Sequence, residues 1–299
     1  MQSIFHHTPL PPARNGIADY AARVTEALQK RAQVFCVNEN PFSITPEGVE
    51  IVDPAQVGRI QDEQSISLYQ IGNNRDHISI YRQALHHPGI VILHDIRLLY
   101  LHELMALPDA NLEAMMLASN PVMAPHRCDD FIRTDRKMQS DYIFFDMLSD
   151  LVSRSLGVVV HSDFARAVIE RNYGPAVAER ITVIPHFAMP RKTPDGEAVR
   201  NRFDLDPSTR LIVTSGFATA VKRFEWVAAA VSELLEAGHE VYWVHAGAER
   251  GDDFDLSGLI ENNSLLRANS AITSFLDEDE LDDIIGAADI VLNLRFPSV

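Results

Sequence analysis

Polar residues able to do chemistry recur in this chain at one kind of place, just behind a short apolar run. His94 and Asp95 follow Gly89-Ile90-Val91-Ile92-Leu93, and Gly72, Asn73 and Asn74 follow Tyr69-Gln70-Ile71. His161 and Ser162 follow Val158-Val159-Val160. Gly216 ends Leu211-Ile212-Val213-Thr214-Ser215, with Lys222-Arg223 a short loop later. If the apolar runs are buried parallel strands, these residues stand at the strands' carboxyl ends, where open α/β sheets bind ligands. A histidine there can donate to or deprotonate a hydroxyl and an aspartate can orient it, which makes His94 and Asp95 the candidate catalytic pair. A glycine turn and a cation ahead of a helix suit a phosphate, because backbone N–H groups and the helix dipole favour an anion. Gly216, Lys222 and Arg223 are therefore candidates for anion binding.

Each of these signals also has a plainer reading. His94 can be a hydrogen-bonded residue beside a capping Asp95, and Gly72-Asn73-Asn74 a turn with positive φ. His161-Ser162 can be a helix N-cap, and Lys222-Arg223 a solvated pair. The Pro-rich loop Pro9 to Gly16, with Asp19 and Tyr20 just beyond, is either a tight strand-to-helix connection or a place where Gly16 lets the backbone approach a ligand. No G-x-G-x-x-G occurs there, so the dinucleotide fingerprint is missing. His6, His7, His86, His87, His102 and His126 read as surface or packing residues. No H-x-H or H-E-x-x-H spacing is present, and no metal is expected.

The elements that must position these residues alternate strand and helix, the pattern of parallel α/β sheets. Expected strands in the first half are Ser3 to His7, Val34 to Val37, Ser67 to Ile71, Gly89 to Asp95, Leu156 to Ser162 and Ile181 to Pro185. Expected helices there are Ile17 to Arg31, His77 to His86 and Phe164 to Asn172. Ile17, Tyr20, Ala21, Val24 and Leu28 mark the first by their helical spacing. The second half offers strands Leu211 to Ser215, Glu240 to Gly247, Ala271 to Leu276 and Asp289 to Leu294, with helices Phe224 to Ala237 and Asp279 to Ala288. The Pro-rich and charged stretch between the halves places an amino-terminal domain at 1–187, a linker at 188–200 and a carboxy-terminal domain at 201–299. The final strand has no covering helix after it, so the second domain is expected to be incomplete, with an apolar strand left exposed.

A chain of 299 residues can hold two such cores. Its net charge of −16 argues against a general nucleic-acid binder and gives no overall attraction to anionic lipid, leaving membrane contact to a local patch. Cys36 and Cys128 have no metal or redox spacing and read as free thiols. With neither a secretory pattern nor a membrane-spanning run, the expected location is cytoplasmic, with peripheral contact at the inner membrane as the one departure.

The chain resembles the family 4 glycosyltransferases, retaining enzymes of the two-Rossmann (GT-B) type that use sugar nucleotides. The segments that carry the resemblance are PLPPARNGIADYAARV (Pro9 to Val24), YQIGNN (Tyr69 to Asn74), GIVILHD (Gly89 to Asp95), VVVHSDFAR (Val158 to Arg166), VIPH (Val183 to His186), VTSGF with KR (Val213 to Arg223) and AADIVLNLRFPS (Ala287 to Ser298). They run in family order over nearly the whole chain, and the PLPP, GIADY and IGNN segments resemble the bacterial surface-polysaccharide subset. The resemblance implies an α/β fold of two Rossmann-like domains facing a cleft. The first would bind a saccharide or lipid-linked acceptor through Asn15, Asp19, Tyr20, Asn73 and Asn74, and the second the nucleotide sugar, UDP or GDP type. Gly16 would lie near the donor diphosphate, His94 near the transferred sugar, and Lys222 with Arg223 on the diphosphate. No metal and no cofactor beyond the nucleotide-sugar co-substrate is implied. Two departures stand out. Relatives place an arginine soon after the second-domain glycine, where Phe217 and Ala218 stand here, and their Glu-x7-Glu acids would begin just past Val299. The expectation is a hexosyltransferase whose 299-residue form is inactive or weak. The alternatives are a non-catalytic sugar- or nucleotide-binding module and a GT-B-fold epimerase.

Overall fold

The structure is a computed structural model that describes residues 3–13, 15–187, 193–249 and 254–295. The chain divides into two compact units, Met1–Phe187 and Ala188–Val299. Arg14, part of the linker (188–192) and Phe296 to Ser298, which close the last family-like segment, lie outside the described residues.

The first unit is built on seven parallel strands: β1 (Ser3–His7), β2 (Gln33–Val37), β3 (Glu50–Val52), β4 (Ile66–Ile71), β5 (Ile90–Leu93), β6 (Gly157–Val160) and β7 (Ile181–Val183). Their order is β3-β2-β1-β4-β5-β6-β7, so the chain reverses direction across the sheet between β1 and β4. A crevice opens at such a switch point outside the carboxyl ends. Helices α1 (Gly16–Gln29), α2 (Ile78–His86) and α3 (Asp163–Tyr173) connect or cover these strands. Ala18 and Ala21 are fully buried, so α1 presents small side chains to the sheet. α1 starts at Asn15, whose Oδ1 accepts from the Ile17 and Ala18 N–H groups, and α3 starts at Ser162 in the same manner. Between β5 and β6 the chain forms short helices that bury Leu98, Leu99, Leu101, Met116, Phe131, Phe145 and Leu148 in one core with β4 and β5.

The second unit has four parallel strands, β8 (Arg210–Ser215), β9 (Val241–Ala246), β10 (Ser270–Ile272) and β11 (Ile290–Leu292), in the order β10-β9-β8-β11. Its core lies under α4 (Phe224–Glu236), where Phe224, Val227, Val231 and Trp243 are buried. α5 (Glu278–Ala287) carries a capping box, Asp277 and Glu280 each satisfying the other's backbone N–H. The architecture is thus α/β with two Rossmann-like parallel sheets, as anticipated.

Several anticipated elements are corrected. β7 is an edge strand that ends at Val183, and Ile184 is exposed, so the run to Pro185 is not a buried strand. β10 stops at Ile272 and β11 at Leu292, where the apolar run extends to Leu276 and Leu294. Strand β3 and the helices Leu256–Glu261 and Ser264–Ala268 carry no strong periodic signal and were not anticipated. Cys36 and Cys128 are buried free thiols.

One glycine is fixed by sheet packing. A Cβ on Gly89, just before β5, would lie 2.4 Å from the Ser67 carbonyl oxygen and 2.8 Å from the Tyr69 ring. Backbone cannot yield as a flexible side chain can, so Gly89→Ala is expected to cost about 1–3 kcal/mol in urea unfolding. Gly58, in a short helix with nothing within 4 Å of its Cβ position, is the control. Gly58→Ala should be neutral or stabilising by up to about 1 kcal/mol. Equal losses at both sites would refute the packing argument.

Candidate functional site

Strand register brings the first unit's polar residues together. Ile71 pairs with Leu93, Leu93 with Val160 and Val160 with Val183, so the next residues, Gly72, His94, His161 and Ile184, stand level along the carboxyl edge. His186 follows two residues on. The rings of His161 and His186 stack at 3.8 Å between centroids, and those of His94 and His161 lie 4.9 Å apart. Tyr20, from the second turn of α1, sets the edge or face of its ring against all three histidines at 5.0–5.6 Å and stacks on Phe187 at 5.0 Å. Burial raises the Tyr20 phenol pKa.

A buried hydrogen-bond chain holds His94. The Thr25 hydroxyl donates to the Ala21 carbonyl one helical turn back, at 2.8 Å. That oxygen must therefore accept from His6 Nδ1–H, also at 2.8 Å, which leaves His6 Nε2 as an acceptor. The Gln70 amide nitrogen donates to it at 2.8 Å, so the Gln70 Oε1 faces His94 Nε2 at 2.7 Å and accepts its proton. Each step crosses one strand and climbs two residues: His6 pairs with Leu68, two before Gln70, and Gln70 pairs with Ile92, two before His94. The tautomer of His94 follows, with hydrogen on Nε2 and a lone pair on Nδ1. Burial, and then the neighbouring His161 and His186, lower the His94 pKa to about 3, so the ring is neutral near pH 7.

The other first-unit candidates are mostly committed to the backbone. The Asp95 carboxylate accepts the Asn73 N–H at 3.0 Å, while the ring nitrogen of His94 that needs an orienting partner has Gln70. Asn73 Oδ1 accepts from Leu101 N–H, and Asn74 Oδ1 from Asp76 N–H. Asn15 caps α1 and donates to Asp76 at 2.6 Å. Gly16 and Asp19 are exposed in the first turn of α1, and nothing lies within 4 Å of a Cβ placed on Gly16. The positive-φ reading of Gly72-Asn73-Asn74 is wrong, because none of the three lies in that region. Gly72 is needed for space instead: a Cβ would sit 2.5 Å from Ile17 Cδ1 and 2.8 Å from His77 Nε2. A cavity of about 700 Å³ lined by His7, Glu39, Arg75, Asp76 and Arg82 lies elsewhere on this unit and includes none of the three clustered histidines.

In the second unit the turn after β8 is made by backbone. Gly216 has φ +83° and its N–H donates to Ala246 at 3.0 Å. Gly247 lies directly against it, and a Cβ there would meet the Gly216 carbonyl oxygen at 2.1 Å. Lys222, at the end of a short 3₁₀ turn, folds back so that Nζ donates to the Ser215 carbonyl at 2.5 Å. Burial lowers the Lys222 pKa to about 8, with Arg295 adding a like charge. The Arg223 guanidinium lies over the Trp226 ring at 4.2 Å, and its backbone, at φ +53°, precedes α4. Beneath the turn Thr214 accepts from Trp243 Nε1–H at 3.0 Å and contacts His245 Nδ1 at 3.0 Å.

Gln70, His186, Gly247 and Arg295 were not singled out from sequence, and His161 was read chiefly beside an N-cap. The available signal was position: Gln70 is a polar side chain inside an otherwise mostly apolar strand, two residues from Gly72, and it is fully buried.

No protein-family model and no curated protein matches the chain. Solved structures do match. Anabaena HepE in complex with UDP and glucose has a TM-score of 0.60 at 13% identity, over 97% of this chain and 73% of that one. WaaG, a glycosyltransferase involved in lipopolysaccharide biosynthesis, gives 0.64 at 13% over 98% and 75%. Sucrose-phosphate synthase from Thermosynechococcus elongatus gives 0.61 at 12% over 98% and 75%. The fold is that of these proteins, two Rossmann-like domains of the GT-B class.

The buried histidines predict how stability depends on pH. Burial lowers His6 to about 3, and lowers His102 and His245 to about 4. In the unfolded chain each titrates near 6.5. The unfolded state thus binds more protons as pH falls below about 6.5, and stability is lost from there down to the native values. Each group should cost about 2 kcal/mol between pH 7 and pH 5. Urea unfolding at the two pH values checks this, and His102→Gln should remove one such contribution. An unchanged difference in that variant would show that His102 is not held neutral.

Proposed function

We propose that the chain is a glycosyltransferase that moves a hexosyl group from a nucleotide sugar to a saccharide or lipid-linked acceptor with retention, as in family 4. The first unit takes the acceptor and the second the nucleotide sugar. The observation that carries this reading is the position of Lys222, a half-buried cation folded onto a positive-φ glycine turn at the carboxyl end of the central strand β8. A departing nucleoside diphosphate gathers negative charge, and a fixed cation beside a helix start stabilises it in place of a metal ion. Arg295, close enough to depress the Lys222 pKa, adds to that field. Arg223, at the start of α4, is the second cation for the diphosphate.

Within the first unit, His94 presents the Nδ1 lone pair to the edge where a sugar hydroxyl would lie, and Tyr20 and Phe187 supply an aromatic face for a sugar ring. Asp95, Asn73, Asn74 and Asn15 shape the surrounding loops, while Gly16 leaves its helix start open to a ligand. The fold likeness to HepE, whose structure holds UDP and glucose, supports a nucleotide-sugar donor. WaaG acts in lipopolysaccharide biosynthesis, which fits a bacterial surface polysaccharide as the acceptor class. Work on such an acceptor would be cytoplasmic, at the inner face of the membrane. Among the described residues no helix is long and apolar enough to cross one.

Thermal shift with UDP, GDP, ADP and their sugar conjugates tests the donor site. A ligand present at 100 times its Kd should add about 2.7 kcal/mol of stability. Lys222→Ala should abolish the selective shift, and Gly247→Ala, which displaces the Gly216 carbonyl, should weaken it. Release of nucleoside diphosphate coupled to glycosylation of an acceptor would complete the assignment. Stabilisation by none of these nucleotides, or an undiminished shift in Lys222→Ala, would overturn it.

A further inference from the structure

We infer that His94, His161 and His186 form a binding site for a borderline divalent metal ion, Zn²⁺ above others. A nitrogen of each ring lies within 4.8 Å of the other two. Proximity alone is common, so the tautomers matter more. A metal-binding imidazole offers one lone pair and donates its other N–H to a fixed acceptor, which sets the ring's orientation. Two of the three rings already have that arrangement. His161 Nδ1 lies 2.8 Å from the Ile184 carbonyl, which can only accept, so Nδ1 carries the hydrogen. Its Nε2 is buried and has no hydrogen-bond partner among the described residues. A buried polar atom left so costs about 1–3 kcal/mol, which a metal bond would remove. His94 donates from Nε2 to Gln70 along the chain that begins at Thr25, leaving the Nδ1 lone pair.

The third ligand has the freedom to close the site. His186 follows the edge strand β7 in an exposed segment. Three imidazoles on one Zn²⁺ ion, at about 2.0–2.1 Å per bond, would bring their nitrogens to about 3.4 Å apart. The His161 and His186 rings stack nearly parallel and imidazole lone pairs lie in the ring plane, so closure requires the exposed His186 ring to swing out of the stack while the Ile184 carbonyl holds His161. Three protein ligands leave a fourth position open, and Tyr20 packs over the group. The usual sequence spacing for such a site is absent because the ligands come from the ends of three neighbouring strands. A metal on His94 takes the one lone pair that the proposed function offers to a sugar hydroxyl, so the ion and a hydroxyl at this edge exclude each other.

The test is Zn²⁺ titration by calorimetry on the full chain stripped of metal, without nucleotide, with Co²⁺ absorption reporting tetrahedral coordination. The expected result is one ion per chain and a tetrahedral Co²⁺ spectrum. His186→Ala, an exposed position that leaves folding intact by circular dichroism, and His161→Ala should each abolish that spectrum. Gln70→Leu, which removes the group positioning His94 and also the donor to His6 Nε2, should weaken affinity about ten- to hundredfold. His126→Ala, at an exposed position outside the group, should bind as the unaltered protein does. Absence of binding, or binding unchanged in His161→Ala and His186→Ala as surface histidines alone would give, overturns the inference. Nucleotide binding in the second unit is read separately, so failure here leaves that assignment standing.

Discussion

The Thr25 hydroxyl has one proton, and it goes to the Ala21 carbonyl. The order of the first unit's polar interior depends on that bond. A carbonyl cannot return a proton, so every donor and acceptor downstream is set, through His6 and Gln70 to His94. All of this lies in the interior, where an unmade hydrogen bond is expensive and alternative arrangements are few. The helix can supply the starting bond only because Ala18 and Ala21 let it sit close on the sheet. Gly72 admits the same helix from the other side, since a Cβ there would strike Ile17. Small residues on α1 and at the end of β4 therefore decide which nitrogen of His94 is available.

The two units make their carboxyl edges by different means. The first uses side chains that strand register sets level with one another. The second uses main chain: Gly216 turns with positive φ, Gly247 allows that turn to lie against its neighbour, and one cation is folded onto the Ser215 carbonyl. Lys222 is held in a place that disfavours its charge, as its lowered pKa records. On the proposed function, a diphosphate brought to this turn would relieve that penalty.

Most of the architecture was legible because buried parallel strands write themselves as apolar runs closed by polar residues. β1, β2, β4, β5, β6, β8 and β9 all have that form, and α1, α4 and α5 declare themselves by period and cap. What failed had physical causes. β3 is three residues long, β7 and β11 are edge strands, the latter with exposed apolar side chains, and the apolar run around β10 outlasts its pairing. Site residues were legible by position and less so by partner. His94 was found at its strand end, but Gln70 as its partner depends on a diagonal contact across two strands that no linear spacing reveals. The gathering of His94, His161 and His186 is likewise a matter of register between segments far apart in sequence. His6 and His102 were read only as surface or packing residues, and burial among hydrogen-bond partners is what sets them apart from exposed His86, His87 and His126.

The Gln70 amide has a donor end and an acceptor end, and neither can exchange roles without turning the whole group over. A chain containing such a link conducts orientation but not protons. No proton can travel from Thr25 through His6 to His94, because the amide neither gives up an N–H nor takes one onto its oxygen at any ordinary pH. His94 is therefore insulated from the protein interior. Whatever proton it gains or loses must cross the Nδ1 face, on the same side as any molecule it serves.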